Sequence, residues 1–310
     1  MSVAQNAGSE VLVAAAALLL LVAFLAALLL TLIRRAGGGD GSRRRRAKGP
    51  PEYKAEDAAW WLERVQVSAA EVERIRREPQ RRSTGRAAPE WLRHRRHRLT
   101  ASRFCRAAAA AGTGGDAEIS RRQLVEEMLV QPEARTSPKR FGVTNEPLAR
   151  QAYIGGCLRG RSAAERESFR VEEAGLCIWR EEPWLAASPD GIVSDGDEVG
   201  LLEIKCCRDA SRLHSVEHVQ QTFYDQMQGQ MAILSSVLGR DVAWCDFFVW
   251  SPAKRRCRRI AFDPEYFYGQ LLPKLRAFYF GCYVPTARRV PLSTPRGSGG
   301  QPPRAARQRG

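Results

Sequence analysis

The chain is poor in histidine. It has four, at positions 94, 97, 214 and 218, and none stands in a pattern with a nucleophile partner. That argues against hydrolase chemistry of the Ser-His-Asp or Cys-His kind. The eight cysteines contain no C-x-x-C pair and no Cys/His zinc spacing. Neither a zinc module nor a disulfide framework is therefore expected. Cys177 and Cys245 lie in apolar contexts, and the set reads as reduced thiols in a cytosol-like compartment. The first 33 residues hold no arginine, which disfavours a mitochondrial presequence. No basic residue precedes the long apolar run there, which disfavours a cleaved signal peptide. There is no internal repeat.

Acid is scarce at both ends. Residues 34–50 hold seven basic residues and one acidic, and residues 286–310 hold six arginines and no acid. These segments supply most of the formal +15, so the charge reports tails more than a basic core. Within the remainder, residues 81–106 carry nine arginines and only Glu90. That concentration suits a polyanion partner.

What is present in quantity is an apolar run. Val11–Ile33 is uncharged and long enough to span a bilayer of about 30 Å. Arg34 and Arg35 follow at once, and the positive-inside rule puts everything after them on the cytosolic or nucleoplasmic side. The expected organisation is a short extension (1–10), a transmembrane helix (11–33), a basic flexible linker (34–58), a folded domain (59–285) and a disordered basic tail (286–310). The expected localisation is that of a single-pass membrane protein, with Arg43–Arg46 against anionic lipid headgroups. A homo-oligomer is compatible with the sequence, which sets no subunit number.

In the folded part, Ser68 and Glu71 make a capping box. Helices are expected near 89–97, 101–111, 120–131 and 144–155, and strands at about 168–180, 186–206, 242–250 and 256–262. A helix near 218–238 interrupts the strands, and another at 264–282 closes the domain. The pattern is α/β (α+β), a mixed central sheet flanked by helices.

The most informative stretch is residues 186–207, "AASPDGIVSDGDEVGLLEIKCC". Two β-rich runs flank a Gly- and Asp-rich turn. Folding the hairpin about Gly196 and Asp197 sets Asp190 opposite Glu203, about 5 Å apart at Cβ. Glu203 and Lys205, two apart on a strand, share that face, and Leu202 and Ile204 point into a core. Two facing carboxylates repel unless a cation lies between them, and a hard divalent ion suits such an oxygen cluster.

Three further stretches matter. In "FGVTNEPLARQAYI" (141–154), Thr144 can cap a helix with Glu146 in its first turn. In "WLRHRRHRLTASRF" (91–104), Thr100 or Ser102 begins a new helix, where backbone N–H groups can cradle a phosphate; Arg95 stands five residues before Thr100, and His94 and His97 read as surface residues. In "FYDQMQGQMAIL" (223–234), Gln226 and Gln230 share a helix face, a spacing more often met on a polar surface.

"RHRLTASRF", "GVTNEPLARQAY", "SPDG…LLEIKC" and "FYDQMQGQM" stand in the order of the lambda-exonuclease or YqaJ-like viral recombinase family, and the chain resembles that family over about residues 88–250. The resemblance implies a PD-(D/E)XK, restriction-endonuclease-like core. It implies a magnesium-dependent DNA nuclease, with Mn2+ as a substitute metal, most readily a 5′→3′ exonuclease acting on duplex ends. It gives Asp190 and Glu203, with the Ile204 backbone carbonyl, as metal ligands, and Glu146 as a ligand through water. Lys205 would orient or deprotonate the attacking water, aided by a lowered pKa near a metal, with Gln226 beside it. Arg95, Thr100 and Ser102 fall where the family grips a 5′-phosphate. Phe223 departs from the family's frequent tyrosine. The rival readings are an endonuclease or single-strand nuclease on the same fold, or a catalytically silent nucleic-acid- or lipid-binding adaptor. DNA is the implied partner.

Overall fold

The computed structural model describes residues 63–81, 87–130, 137–209, 216 and 218–289, all within the unit Pro50–Gly310. Helices come first: α1 (Ala69–Arg77), α2 (Pro89–Arg95), a short strand β1 (Leu99–Thr100), a 3-10 turn Ala101–Arg103, then α3 (Phe104–Ala110), α4 (Gly115–Val130), α5 (Ser137–Cys157) and α6 (Ala163–Glu167). Strands follow: β2 (Phe169–Glu172), β3 (Cys177–Ile178), β4 (Leu185–Ala187), β5 (Gly191–Asp195) and β6 (Glu198–Cys206). Helix α7 (Gln221–Leu238) leads to β7 (Trp244–Trp250) and β8 (Arg255–Ala261). The end is helical, with α8 (Pro264–Tyr266), α9 (Leu272–Phe278) and α10 (Val284–Ala287) joined by π-helical turns Phe267–Leu271 and Tyr279–Tyr283. The expected capping box is formed: the Ser68 hydroxyl accepts from the Glu71 N–H while the Glu71 carboxylate accepts from the Ser68 N–H.

The fold is mixed α/β. A five-stranded sheet has the order β2-β5-β6-β7-β8, and a small one has the order β1-β4-β3. In the larger sheet β6 and β7 are parallel and the other pairs antiparallel. A parallel pair needs a crossover, which α7 supplies. Strand β6 is central and almost wholly buried, so it reads as a near-continuous apolar run covered on both faces. One face packs Leu201 and Phe247 with Met227 and Ile233 of α7. The other packs Leu202, Ile204 and Phe248 with Ala149 and Tyr153 of α5. Each of the Leu, Ile, Phe and Met side chains among these, when fully buried, contributes about 1.5–3 kcal/mol. Gly229 sets how closely α7 approaches: a Cβ there would fall 2.2 Å from the Phe104 ring.

Three expectations are corrected. Helix α5 begins at Ser137, so Thr144 caps nothing and Glu146 lies well inside the helix, with Pro147 also interior. The Asn145 amide donates to the Phe141 carbonyl at 2.8 Å, one turn back inside this helix. The folded domain does not stop at 285, because α10 crosses that point. The membrane reading is withdrawn. Among the described residues no helix is long and apolar enough to cross a membrane, and Val11–Ile33 lies outside them. The long helix α7 instead carries Asp225, Gln226, Gln228 and Gln230 into the interior. The single-pass localisation, its orientation and the lipid partner go with that reading.

Candidate active site

The β5–β6 hairpin carries the first cluster. Asp195 pairs with Glu198 across a two-residue turn, Gly196–Asp197, and Gly196 takes the left-handed conformation (φ 60°) that such a turn requires. The register runs on to Gly191 opposite Leu202, and the Asp190 N–H donates to the Leu202 carbonyl at 3.1 Å. The next step sets Asp190 level with Glu203. Asp190 Oδ2 then accepts from the Ile204 N–H at 2.6 Å.

Glu203 is only 2% exposed. A lone carboxylate at that depth would be costly, and three side chains offset the cost. Lys205 is ion-paired to its Oε1. Gln226 Nε2 also donates to Oε1, at 2.8 Å, and Gln230 Nε2 donates to Oε2, at 2.8 Å. The glutamine pair is thus buried on the carboxylate and is not a polar surface. Phe223 sits one turn earlier, its ring centroid 5.2 Å from the Lys205 ammonium. The position that lacks the family's hydroxyl still faces the lysine, now as a cation–π contact.

Electrostatics tie Asp190, Glu203, Lys205 and Glu146 together. Burial, then the charges of Glu203 and Glu146, hold the Asp190 carboxyl well above the usual range. Burial also raises Glu146, against the pull of Arg150 and Arg81; Arg150 donates to Glu146 Oε1 at 3.4 Å and pairs with Glu173. Burial alone would lower Lys205, but Glu203 and Asp190 outweigh it and raise its pKa. The two carboxylates by themselves therefore favour the ammonium form of Lys205.

A second cluster forms at the start of α3. Arg95 Nη2 donates to Thr100 Oγ1 at 3.3 Å, and Thr100 Oγ1 lies 3.5 Å from Ser102 Oγ. Thr100 precedes the 3-10 turn, and its hydroxyl caps no N–H there. The Arg95 guanidinium lies 4.1 Å from the centroid of the Trp91 ring. Burial, with Arg103 and Arg81 adding repulsion, pushes Arg95 down to about 9. No carboxylate among the described residues is ion-paired to Arg95. The wider arginine run is less available than its count suggests. Arg98 is buried and donates to the carbonyls of His94, Pro183 and Val65, and Arg93 and Arg106 pair with Glu90 and Glu127. His94 is buried, not a surface residue, and His97 bonds the Tyr283 hydroxyl at 2.8 Å.

The two clusters share one connection. Strand β1 runs parallel to β4, with Thr100 level with Ala186. Four residues on, the chain reaches Asp190. Trp91, under Arg95, donates its indole N–H to Ser188 Oγ at 3.1 Å. Sequence reasoning missed Trp91, Ser188 and Arg150. It named Gln230 without its role.

Residues 90–236 match the model of the YqaJ-like viral recombinase domain. They form a YqaJ-like viral recombinase domain. Both clusters of the YqaJ-like domain lie within this range. An alkaline exonuclease from Laribacter hongkongensis is 25% identical, over 65% of this chain and 97% of its own, with a TM-score of 0.48. Its complex with dAMP gives the same identity and coverage and a TM-score of 0.49. A phage-related exonuclease from Haemophilus somnus 129PT is 14% identical, over 59% of this chain and 94% of its own, with a TM-score of 0.42. No curated protein matches the chain.

Proposed function

We propose that the protein is a divalent-metal-dependent nuclease that hydrolyses phosphodiester bonds of DNA, acting 5′→3′ from duplex ends. The observation that carries this reading is Asp190 level with Glu203, beside Lys205, in a half-buried pocket where Asp190 feels two further carboxylates and one lysine. A metal is tested on that charge and on the donors. Asp190 is disfavoured as an anion mainly by burial and by its carboxylate neighbours, a penalty that a bound cation relieves. Among the described residues no three His, Cys, Asp or Glu side chains gather at metal-ligating distances. The ligands would thus be Asp190, Glu203 and the Ile204 carbonyl, with Glu146 acting through water. These hard oxygen donors fit Mg2+ or Mn2+.

When bound, the metal supplies Lewis-acid stabilisation of the phosphoryl group and a more acidic water. The chain's own residues do the rest. Gln226 and Gln230 hold the Glu203 carboxylate in one orientation. Lys205, a cation at the pocket's half-buried edge, can donate to the attacking water or to a phosphoryl oxygen and offset charge as it develops. Arg95, Thr100 and Ser102 offer a guanidinium and two hydroxyls to a terminal 5′-phosphate, and this favours end recognition. Trp91 ties that group to the Ser188–Asp190 turn.

The test is incubation of the full-length protein with end-labelled linear duplex and with covalently closed circular duplex, in Mg2+ and in EDTA. Loss of linear DNA alone, only with Mg2+, is expected. Loss of both would make the enzyme an endonuclease, and loss of neither would refute the nuclease reading.

A further inference from the structure

The group formed by Arg95, Thr100 and Ser102 spans two elements. Arg95 is the last residue of α2, and Thr100 is the second residue of β1. Residues 96–99 join them. The Arg98 N–H donates to the Arg95 carbonyl at 3.2 Å, which closes a four-residue β-turn. Its two central residues are Arg96, with φ −61° and ψ 137°, and His97, with φ 64°. This is the pattern of a type II turn, whose third residue takes a positive φ and is ordinarily glycine or asparagine. Among the described residues His97 is the one non-glycine residue with a positive φ. A side chain at that position is strained where glycine is not.

The closing helices hold His97 there. Tyr279 and Tyr283 stand at the two ends of the second π-helical turn, and both are fully buried. The Tyr279 hydroxyl donates to the His97 carbonyl. The Tyr283 hydroxyl is hydrogen-bonded to His97 Nδ1 at 2.8 Å. The two tyrosine rings lie 5.2 Å apart at their centroids, so one wall holds both the main chain and the side chain of His97. The chain on either side is fixed as well. Arg98 donates to the carbonyls of His94, Pro183 and Val65, and the Leu99 N–H donates to the Trp184 carbonyl at 2.8 Å. None of the roles above uses His97 or the two tyrosines.

We propose that His97 is a positioning residue for the 5′-phosphate of the substrate. Tyr279 and Tyr283 hold it in the left-handed conformation, and the turn so fixed brings the Arg95 guanidinium back onto Thr100, beside Ser102. This rests on the nuclease reading above and on the place it gives Arg95. The turn reverses the chain between the end of α2 and the start of β1, and Thr100 is itself pinned level with Ala186 of β4. The direction of the Arg95 side chain relative to the two hydroxyls therefore depends on the backbone at His97. The closing helices reach the site through this residue.

The experiment measures initial cleavage rates of the full-length protein, in Mg2+, on linear duplexes with 5′-phosphate or 5′-hydroxyl ends, beside thermal melts. His97→Ala and His97→Gly both lack the ring and differ in their tolerance of a positive φ. In His97→Ala the preference for 5′-phosphate ends should fall at least about tenfold, as expected when a binding group is displaced, with the 5′-hydroxyl rate unchanged. His97→Gly should keep the parental preference. Tyr279→Phe should lower the preference in the parental chain and have little effect in His97→Gly, because a glycine turn needs no outside support. If His97 and Tyr279 only fastened the closing helices, the alanine and phenylalanine variants would melt at lower temperature and keep the preference. That result would overturn the proposal and leave the nuclease reading intact. A His97→Gly protein that loses the preference as fully as His97→Ala would overturn it too. Should His97→Ala not fold, Tyr279→Phe in the two backgrounds decides the question. A parental protein that cleaves without preferring 5′-phosphate ends would overturn this proposal and the role of Arg95 together, and one that cleaves nothing would overturn the nuclease reading as well.

Discussion

Gln230 donates to Oε2 of Glu203 at 2.8 Å from the fully covered face of α7, while its own Oε1, buried, has no hydrogen-bond partner among the described residues. The amide therefore serves one purpose, to satisfy a carboxylate oxygen that Lys205 and Gln226 leave open. Gln230→Leu should lower unfolding stability by about 1–3 kcal/mol, the cost of an unsatisfied buried acceptor. In a Glu203→Leu background the same change should cost much less, since the two side chains share one interaction. Urea denaturation of the four proteins of this cycle measures the coupling, and additive costs would contradict it.

Arg95 is a half-buried guanidinium with a hydroxyl partner and cationic neighbours. An incoming phosphate would relieve that repulsion. Arg95→Ala should therefore reduce the preference for 5′-phosphorylated over 5′-hydroxyl ends, with little change on the 5′-hydroxyl substrate. The ratio of initial cleavage rates on the two duplexes is the readout. An unchanged ratio removes Arg95 from that role.

His94 gives a pH dependence. Burial, then Arg93 and Arg98, lowers its pKa from 6.5 to about 4, against the opposing pull of Glu90. The folded state thus refuses a proton that the unfolded chain accepts. The stability associated with neutral His94 is fully present above pH 6.5 and is lost as pH falls toward 4. Relative to His94→Gln, the parental protein should lose up to about 1.4 kcal/mol per pH unit in that window. Thermal or urea melts of both proteins between pH 7 and 4.5 test this, and parallel curves would contradict it.

Much of the site was legible in the sequence because hairpin register is a local property. The Gly196–Asp197 turn and period-two alternation set Asp190 across from Glu203 without reference to the rest of the chain. The order of helices and strands was legible for the same reason. What the sequence hid depends on distant partners. The half-buried place of His97 follows from its contact with Tyr283, and Arg98 is spent on the carbonyls of Val65 and Pro183. Such contacts leave no periodic trace, so the arginine run read as more available than it is. The start of α5 was misread because Thr144 and Pro147 resemble a helix entrance, whereas the helix runs through both. Gln226 and Gln230 carried a signal that was undervalued: glutamines inside an apolar helix need a buried polar partner.

The central claim, that Asp190, Glu203 and Lys205 form a hydrolytic centre, is tested most directly by single-turnover cleavage of linear duplex DNA by Lys205→Ala, read beside its thermal melt. If Lys205 only neutralised the buried Glu203 carboxylate, its loss would lower stability by up to about 3–5 kcal/mol and leave the cleavage rate of the folded protein alone. As the cation that orients water or stabilises developing charge, it should be worth about 10²–10⁴ in rate. The account predicts a folded Lys205→Ala protein whose cleavage step has fallen by at least about a hundredfold. A folded Lys205→Ala protein that cleaves at near the parental rate would contradict it.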